Sequence, residues 1–217
     1  MSYLKRSIGK AVAGTAIFVA FLAALVGPAG PASAASTLCT YDGKALEPTL
    51  EFWRAASKKE EALKAQPVSD DQFDALYRPY SDREDEDSAA FYKWADETRD
   101  RLDEEMQKAI GDAQMAQYQG KERITRDANR WLRQNSGRLG EARALKMAWA
   151  KYRRGMKRLN RQTKAKVKEA RTVCPAAMRG VISTRRSAEK ELQGHFDAIT
   201  AVLEERWELG LQQGSQG

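Results

Sequence analysis

The sequence predicts an all-α protein, an elongated antiparallel helical bundle or helical hairpin with long amphipathic, coiled-coil-like helices and one disulfide. Three observations carry that expectation. No proline occurs from Tyr80 to Cys174, over ninety-five consecutive residues. Beyond residue 34 the chain has only five valines and four isoleucines, and no sustained alternation of period two. Ala, Leu, Glu, Lys, Gln and Arg dominate instead, the residues that lose least on entering a helix.

The first element, 1–34, reads as a cleavable secretory signal peptide. Lys5, Arg6 and Lys10 precede an apolar run from Ala11 to Val26, and Ala32-Ser33-Ala34 ends the segment as a small-residue cleavage site. The run holds sixteen residues, short of the roughly 20 that a membrane-spanning helix needs. The chain is therefore expected to be exported, to a bacterial periplasm or beyond. Membrane contact, where it occurs, is not expected through a retained transmembrane helix.

Residues 35–80 are expected to form short helices. Pro48 suits a first helical turn, and the helix should run to about Ala65, ahead of Pro67. Ser69 with Gln72 has capping-box spacing and opens a short helix through Tyr77, which Pro79 should stop.

Residues 81–211 are expected to hold the long helices. Ser81 with Glu84 is a second capping-box spacing, and that helix should run to about Gln119 with Gly120 as its stop. The next begins near Lys121, and a break is expected at Asn135-Ser136-Gly137, close to Gly140. A long helix then continues to about Thr172, and a last one runs from Pro175 to about Leu211. The tail, 212–217, is expected to be disordered.

Apolar faces support these helices. Leu145, Trp149, Tyr152, Met156, Leu159, Thr163, Val167 and Ala170 fall within about 40° of one line at ~100° per residue. Phe91, Ala95, Thr98, Leu102, Met106, Ala109, Ala113 and Ala116 draw a second such line. A third joins Met178, Ile182, Leu192, Phe196, Ile199, Leu203 and Trp207, with Arg185 and Glu189 interrupting its middle. Trp149 and Tyr152 are expected as core anchors.

Two cysteines, Cys39 and Cys174, follow the leader, and in an oxidising compartment they are expected to pair. Closing so long a loop contributes about 5 kcal/mol on the chain-entropy account.

Charge is the other resource. The chain has 37 basic and 30 acidic residues, and the leader takes three of the basic ones. What remains is near +4, too little to argue for nucleic-acid binding, so no specific nucleic-acid partner is expected. Within it, 151–171 holds ten basic residues against Glu169 alone, with Arg153, Arg154, Lys157, Arg158, Arg161 and Lys164 at its centre. On a helical wheel they lie opposite the apolar line and form an exposed ridge suited to an anionic partner. From Asp82 to Glu105 there are eleven acids and four basic residues. If the two apolar lines pack together, acids and bases should lie on opposite outer sides of the bundle. That polarity suggests head-to-tail self-association or docking onto a charged partner.

Catalytic signatures are missing. His195 is the only histidine, the cysteines are assigned to a bridge, and no G-x-S-x-G, H-E-x-x-H or P-loop occurs. Asp82, Glu84, Asp85, Glu86 and Asp87 lack the spacing of a calcium loop. No catalytic residue, metal or cofactor is expected. The stretch Leu145 to Arg154 resembles a helix segment of small secreted lysozyme-inhibitor-type domains. Those domains place a cysteine shortly after the arginine, whereas here the next is Cys174, and no residue role follows from the likeness.

The expected function is a non-catalytic, exported adaptor of a secretion-, conjugation- or surface-type assembly, whose partner is an envelope protein or an anionic surface polymer. The alternatives are a periplasmic chaperone holding unfolded clients and, with less support, a cell-wall glycan hydrolase.

Overall fold

A computed structural model describes residues 37–214. The expected leader and residues 215–217 lie outside the described residues. Three helices follow one another: α1, Glu47–Ala62; α2, Asp70–Leu139; and α3, Glu141–Gly214. No strand occurs among the described residues. At 1.5 Å per residue, α2 and α3 are each between about 100 and 110 Å long.

Helices α2 and α3 form one antiparallel hairpin that turns at Gly140, which has φ +75° and ψ 145°, a conformation that side chains beyond glycine rarely adopt. The pairing keeps its register from end to end. Ile124 meets Gly155, Gly120 meets Leu159, Gln117 bonds to Asn160, and Phe73 packs on Trp207. In each case the partners lie almost equally far on either side of Gly140.

At the open end, α1 lies on α3. The core there is Leu50, Trp53, Phe91, Leu192, Ile199 and Leu203. Burying each of these side chains contributes about 1.5–3 kcal/mol. Trp53 is fully buried, and its indole N–H donates to Asp87 at 2.9 Å. A second cluster of Cys39, Ala95, Leu102, Cys174 and Val181 lies next along the hairpin. Cys39 and Cys174 are bonded, with Cα atoms 5.1 Å apart. The expected disulfide is present and ties the segment before α1 to the middle of α3. Beyond it, toward the turn, the buried residues of the hairpin are Ala113, Ala144, Ala148 and Ala170.

Several expected boundaries differ. Residues 35–80 and 81–211 are not separated by a helix end, because α2 runs through Pro79 and Ser81. The capping box at Ser69 is real: Gln72 N–H donates to Ser69 Oγ and Ser69 N–H to Gln72 Oε1. The one expected at Ser81 is not, and Glu84 instead accepts from Ser88 Oγ within the helix. A proline inside a helix costs about 3 kcal/mol, and α2 continues through it with the half-buried Phe73, Tyr77 and Tyr80 packed on the core on either side of Pro79. Likewise α3 is unbroken at Pro175, beside the disulfide.

Gly120 is not a stop. Its missing side chain lets Leu159 approach to within 2.8 Å of where a Cβ would stand. Asn135 and Ser136 do not break α2; their side chains donate back to the carbonyls of Trp131 and Arg133, and the helix continues to Leu139. The turn falls at Gly140. The expected disordered tail is helical through Gly214, and α1 ends at Ala62, three residues early, where Leu63 N–H bonds to Glu60 O.

Candidate functional site

The six residues at the centre of the predicted ridge, Arg153, Arg154, Lys157, Arg158, Arg161 and Lys164, are all exposed on α3. They belong to a larger feature. By the register of the hairpin, 151–171 lies beside about 108–128 of α2, and α2 brings its own cations to the same stretch, Lys108, Lys121, Arg123 and Arg126, with Arg130, Arg133 and Arg138 following toward the turn. Residues 107–171, the half of the hairpin nearest the turn, hold 19 basic and five acidic residues, a net +14. The remaining described residues hold 25 acidic and 15 basic ones, a net −10. The former half is the arm, and the remainder is the base.

The polarity is therefore lengthwise, not side to side as the sequence suggested. The acidic run 82–105 lies beside the part of α3 that follows Cys174, so it adjoins the level of the basic ridge along the hairpin axis and does not lie across from it. Each half is about 50 Å long, several times the ~8 Å over which salt screens a charge. The two halves consequently do not neutralise each other within one molecule.

The local pairing says the same. Every ion pair among the described residues involves groups no later than Glu105 or no earlier than Arg185, so none lies in the arm. One of the arm's five acids is engaged elsewhere. Glu122 bonds to the Tyr118 hydroxyl, and that hydrogen bond pushes the tyrosine's pKa up. Lys151 sits 5.2 Å over the Trp131 ring, a cation–π contact that leaves its charge uncompensated.

Apolar surface accompanies the charge. Met115, Tyr118, Leu145, Met147 and Trp149 are exposed on the arm. A groove of about 300 Å³ lies between the helices near the turn, walled by Leu132, Leu145, Ala148, Trp149 and Tyr152. The expectation of Trp149 as a core anchor is corrected: it is 54% exposed and packs edge-on against the half-buried Tyr152 at 5.5 Å. The residues that face inward here are Ala144 and Ala148, one position before Leu145 and Trp149. Farther from the turn the helices also approach closely through a small residue, with Ile124 over Gly155.

The base carries a different constellation that sequence reasoning missed. Glu60 and Arg206 form a buried ion pair at 2.8 Å. Tyr80 Oη donates to Glu60 Oε1 at 2.9 Å, and Arg206 Nε to the Gln66 carbonyl at 3.0 Å. Burial and then the Glu60 hydrogen bond hold the Tyr80 hydroxyl neutral, with its pKa pushed up to about 12. The network joins α1, the α1–α2 connection, α2 and α3, and its groups are fully engaged with one another. A signal existed: Glu60 follows Trp53, and Arg206 follows Ile199, by one heptad, so opposite charges extend two apolar lines. His195 stands half-buried on α3, 3.9 Å from Glu191. Arg185, which interrupts the third apolar line, stacks 3.9 Å from the Tyr92 ring centre.

No described helix is long and apolar enough to cross a membrane. Comparison with family models, curated proteins and solved structures gives no match, so the functional reading rests on this geometry.

Proposed function

We propose that the protein is a non-catalytic docking adaptor whose arm engages an acidic partner surface, while its base, fastened by α1 and the disulfide, holds the arm as a rigid lever. The observation that carries this reading is the unpaired charge of the arm. Nineteen basic residues meet five acids over 107–171, and none forms an ion pair within the described residues. Clustered cations of this kind raise association rates and select partners more than they stabilise a fold. With the leader-like segment at its start, the molecule fits an exported component of an envelope or surface assembly.

Cross-linking in the native cells, followed by identification of what co-purifies, tests the proposal. The wild type should capture a stoichiometric acidic partner, and a variant with Arg153, Arg154, Arg158 and Arg161 changed to Glu should lose it. Equal capture by both would remove the arm from the docking surface. The apolar groove at Trp149 favours a second reading, a holder of unfolded clients. It requires suppression of aggregation of a reduced model client, which an arm without that activity would not give.

A further inference from the structure

The acidic surface that best fits the arm is the base of the same chain. The change of sign falls about midway between the turn at Gly140 and the open end of the hairpin, close to the level of Cys174. The two halves therefore have nearly equal length and opposite charge. Placed side by side in parallel, two copies would set arm against arm and base against base, like against like throughout. Placed end to end, they would join only a tip to an open end. Side by side and antiparallel, both arms lie along both bases over the whole length, and a two-fold axis passes near the disulfides. That arrangement is closed and uses the same surface on both copies, as two-fold dimers do.

Exposed groups are available on both sides of such a contact. Asp82, Asp85, Glu86 and Asp100 are exposed on α2 and take part in no ion pair among the described residues. With the axis at the midpoint, the stretch 82–91 of one copy falls opposite about 153–161 of the other, which contains Arg153, Arg154, Lys157, Arg158 and Arg161. We infer that the protein forms an antiparallel two-fold dimer in which the cationic arm of each copy lies along the acidic base of its partner. This rests on the reading of the arm as a docking surface and names its partner as a second copy.

Sedimentation equilibrium with small-angle scattering on the purified protein tests it. The expected result is a doubled mass at low salt with a maximum dimension still about 110 Å, the length of one hairpin. Raising the salt should dissociate the dimer. Reversal of the arm (Arg153→Glu, Arg154→Glu, Arg158→Glu, Arg161→Glu) or of the base (Asp82→Lys, Asp85→Lys, Glu86→Lys, Asp100→Lys) should each weaken the dimer by about tenfold or more, from four lost exposed pairs per contact. Mixing the two variants should restore it, because each arm then meets a base of opposite sign. Far-ultraviolet circular dichroism checks that both variants stay helical. A monomer at every salt and concentration, a dimer about twice as long as the hairpin, or no restoration on mixing would each overturn the inference. A monomer that still binds polyglutamate through the arm would remove the dimer and leave the docking reading standing; a monomer that does not would remove both.

Discussion

Glu60 and Arg206 are each almost wholly withdrawn from water, so their pairing matters more than that of any exposed ion pair here. Removing one partner leaves a buried charge with no counterpart, which costs about 3–5 kcal/mol. Glu60→Ala should therefore lower the unfolding free energy by that amount in urea titration. The double change Glu60→Leu with Arg206→Met should recover part of it, since no buried charge is left unpaired, while the Tyr80 hydroxyl and the Gln66 carbonyl still lose their partners. Tyr80 adds a pH signature. The fold favours its neutral form, with a pKa near 12 against 10.0 for the free side chain. Its contribution is complete below pH 10 and is lost as pH rises through about 12. The stability of wild type relative to Tyr80→Phe should shrink over that interval in denaturation followed by circular dichroism, and a constant difference would mean that the hydroxyl titrates normally in the fold.

At the scale of the element, two glycines three residues apart should respond oppositely. Gly137 lies inside α2 with open space where a Cβ would stand, whereas Gly140 makes the turn at positive φ. Gly137→Ala should stabilise by about 1 kcal/mol, the helix-propensity difference. Gly140→Ala should destabilise by about 1–3 kcal/mol, the cost of holding alanine in that region. Thermal melting of the two variants reads both signs. This contrast also shows what local signals reveal. Asn-Ser-Gly and Pro look like helix ends in sequence, and the Ser69 box is one in fact. A single breaker is worth about 1–3 kcal/mol, and at Pro79 the helix continues through it with packed side chains on both sides. The apolar lines through Phe91 to Leu102 and Leu192 to Leu203 were legible because large side chains there meet α1 or the segment before it. The line from Leu145 to Ala170 was legible from Tyr152 onward, where its residues are half-buried or buried, but not at Leu145 and Trp149, because next to the turn the helices pack through Ala144 and Ala148.

Across the described residues as a whole, the disulfide marks where a three-helix base gives way to a two-helix arm, and the sign of the charge changes at the same level. The pairing of Cys39 with Cys174 was legible from their number together with the leader-like segment ahead of them. The ridge at Arg153 to Lys164 was legible as a run along one helix. Its extension onto α2 was not, since those cations are dispersed and gather only when the hairpin brings distant stretches to one level. Affinity for polyglutamate, titrated across a salt series, tests the central claim most directly. Four reversals in the arm, at Arg153, Arg154, Arg158 and Arg161, are compared with four in the base, at Lys58, Lys59, Arg186 and Lys190, which change the net charge equally. Docking through the arm predicts about tenfold or greater weakening and a shallower salt dependence for the arm variant, with little change for the base variant. Equal weakening of both would show that only net charge matters and would contradict the assignment of the arm.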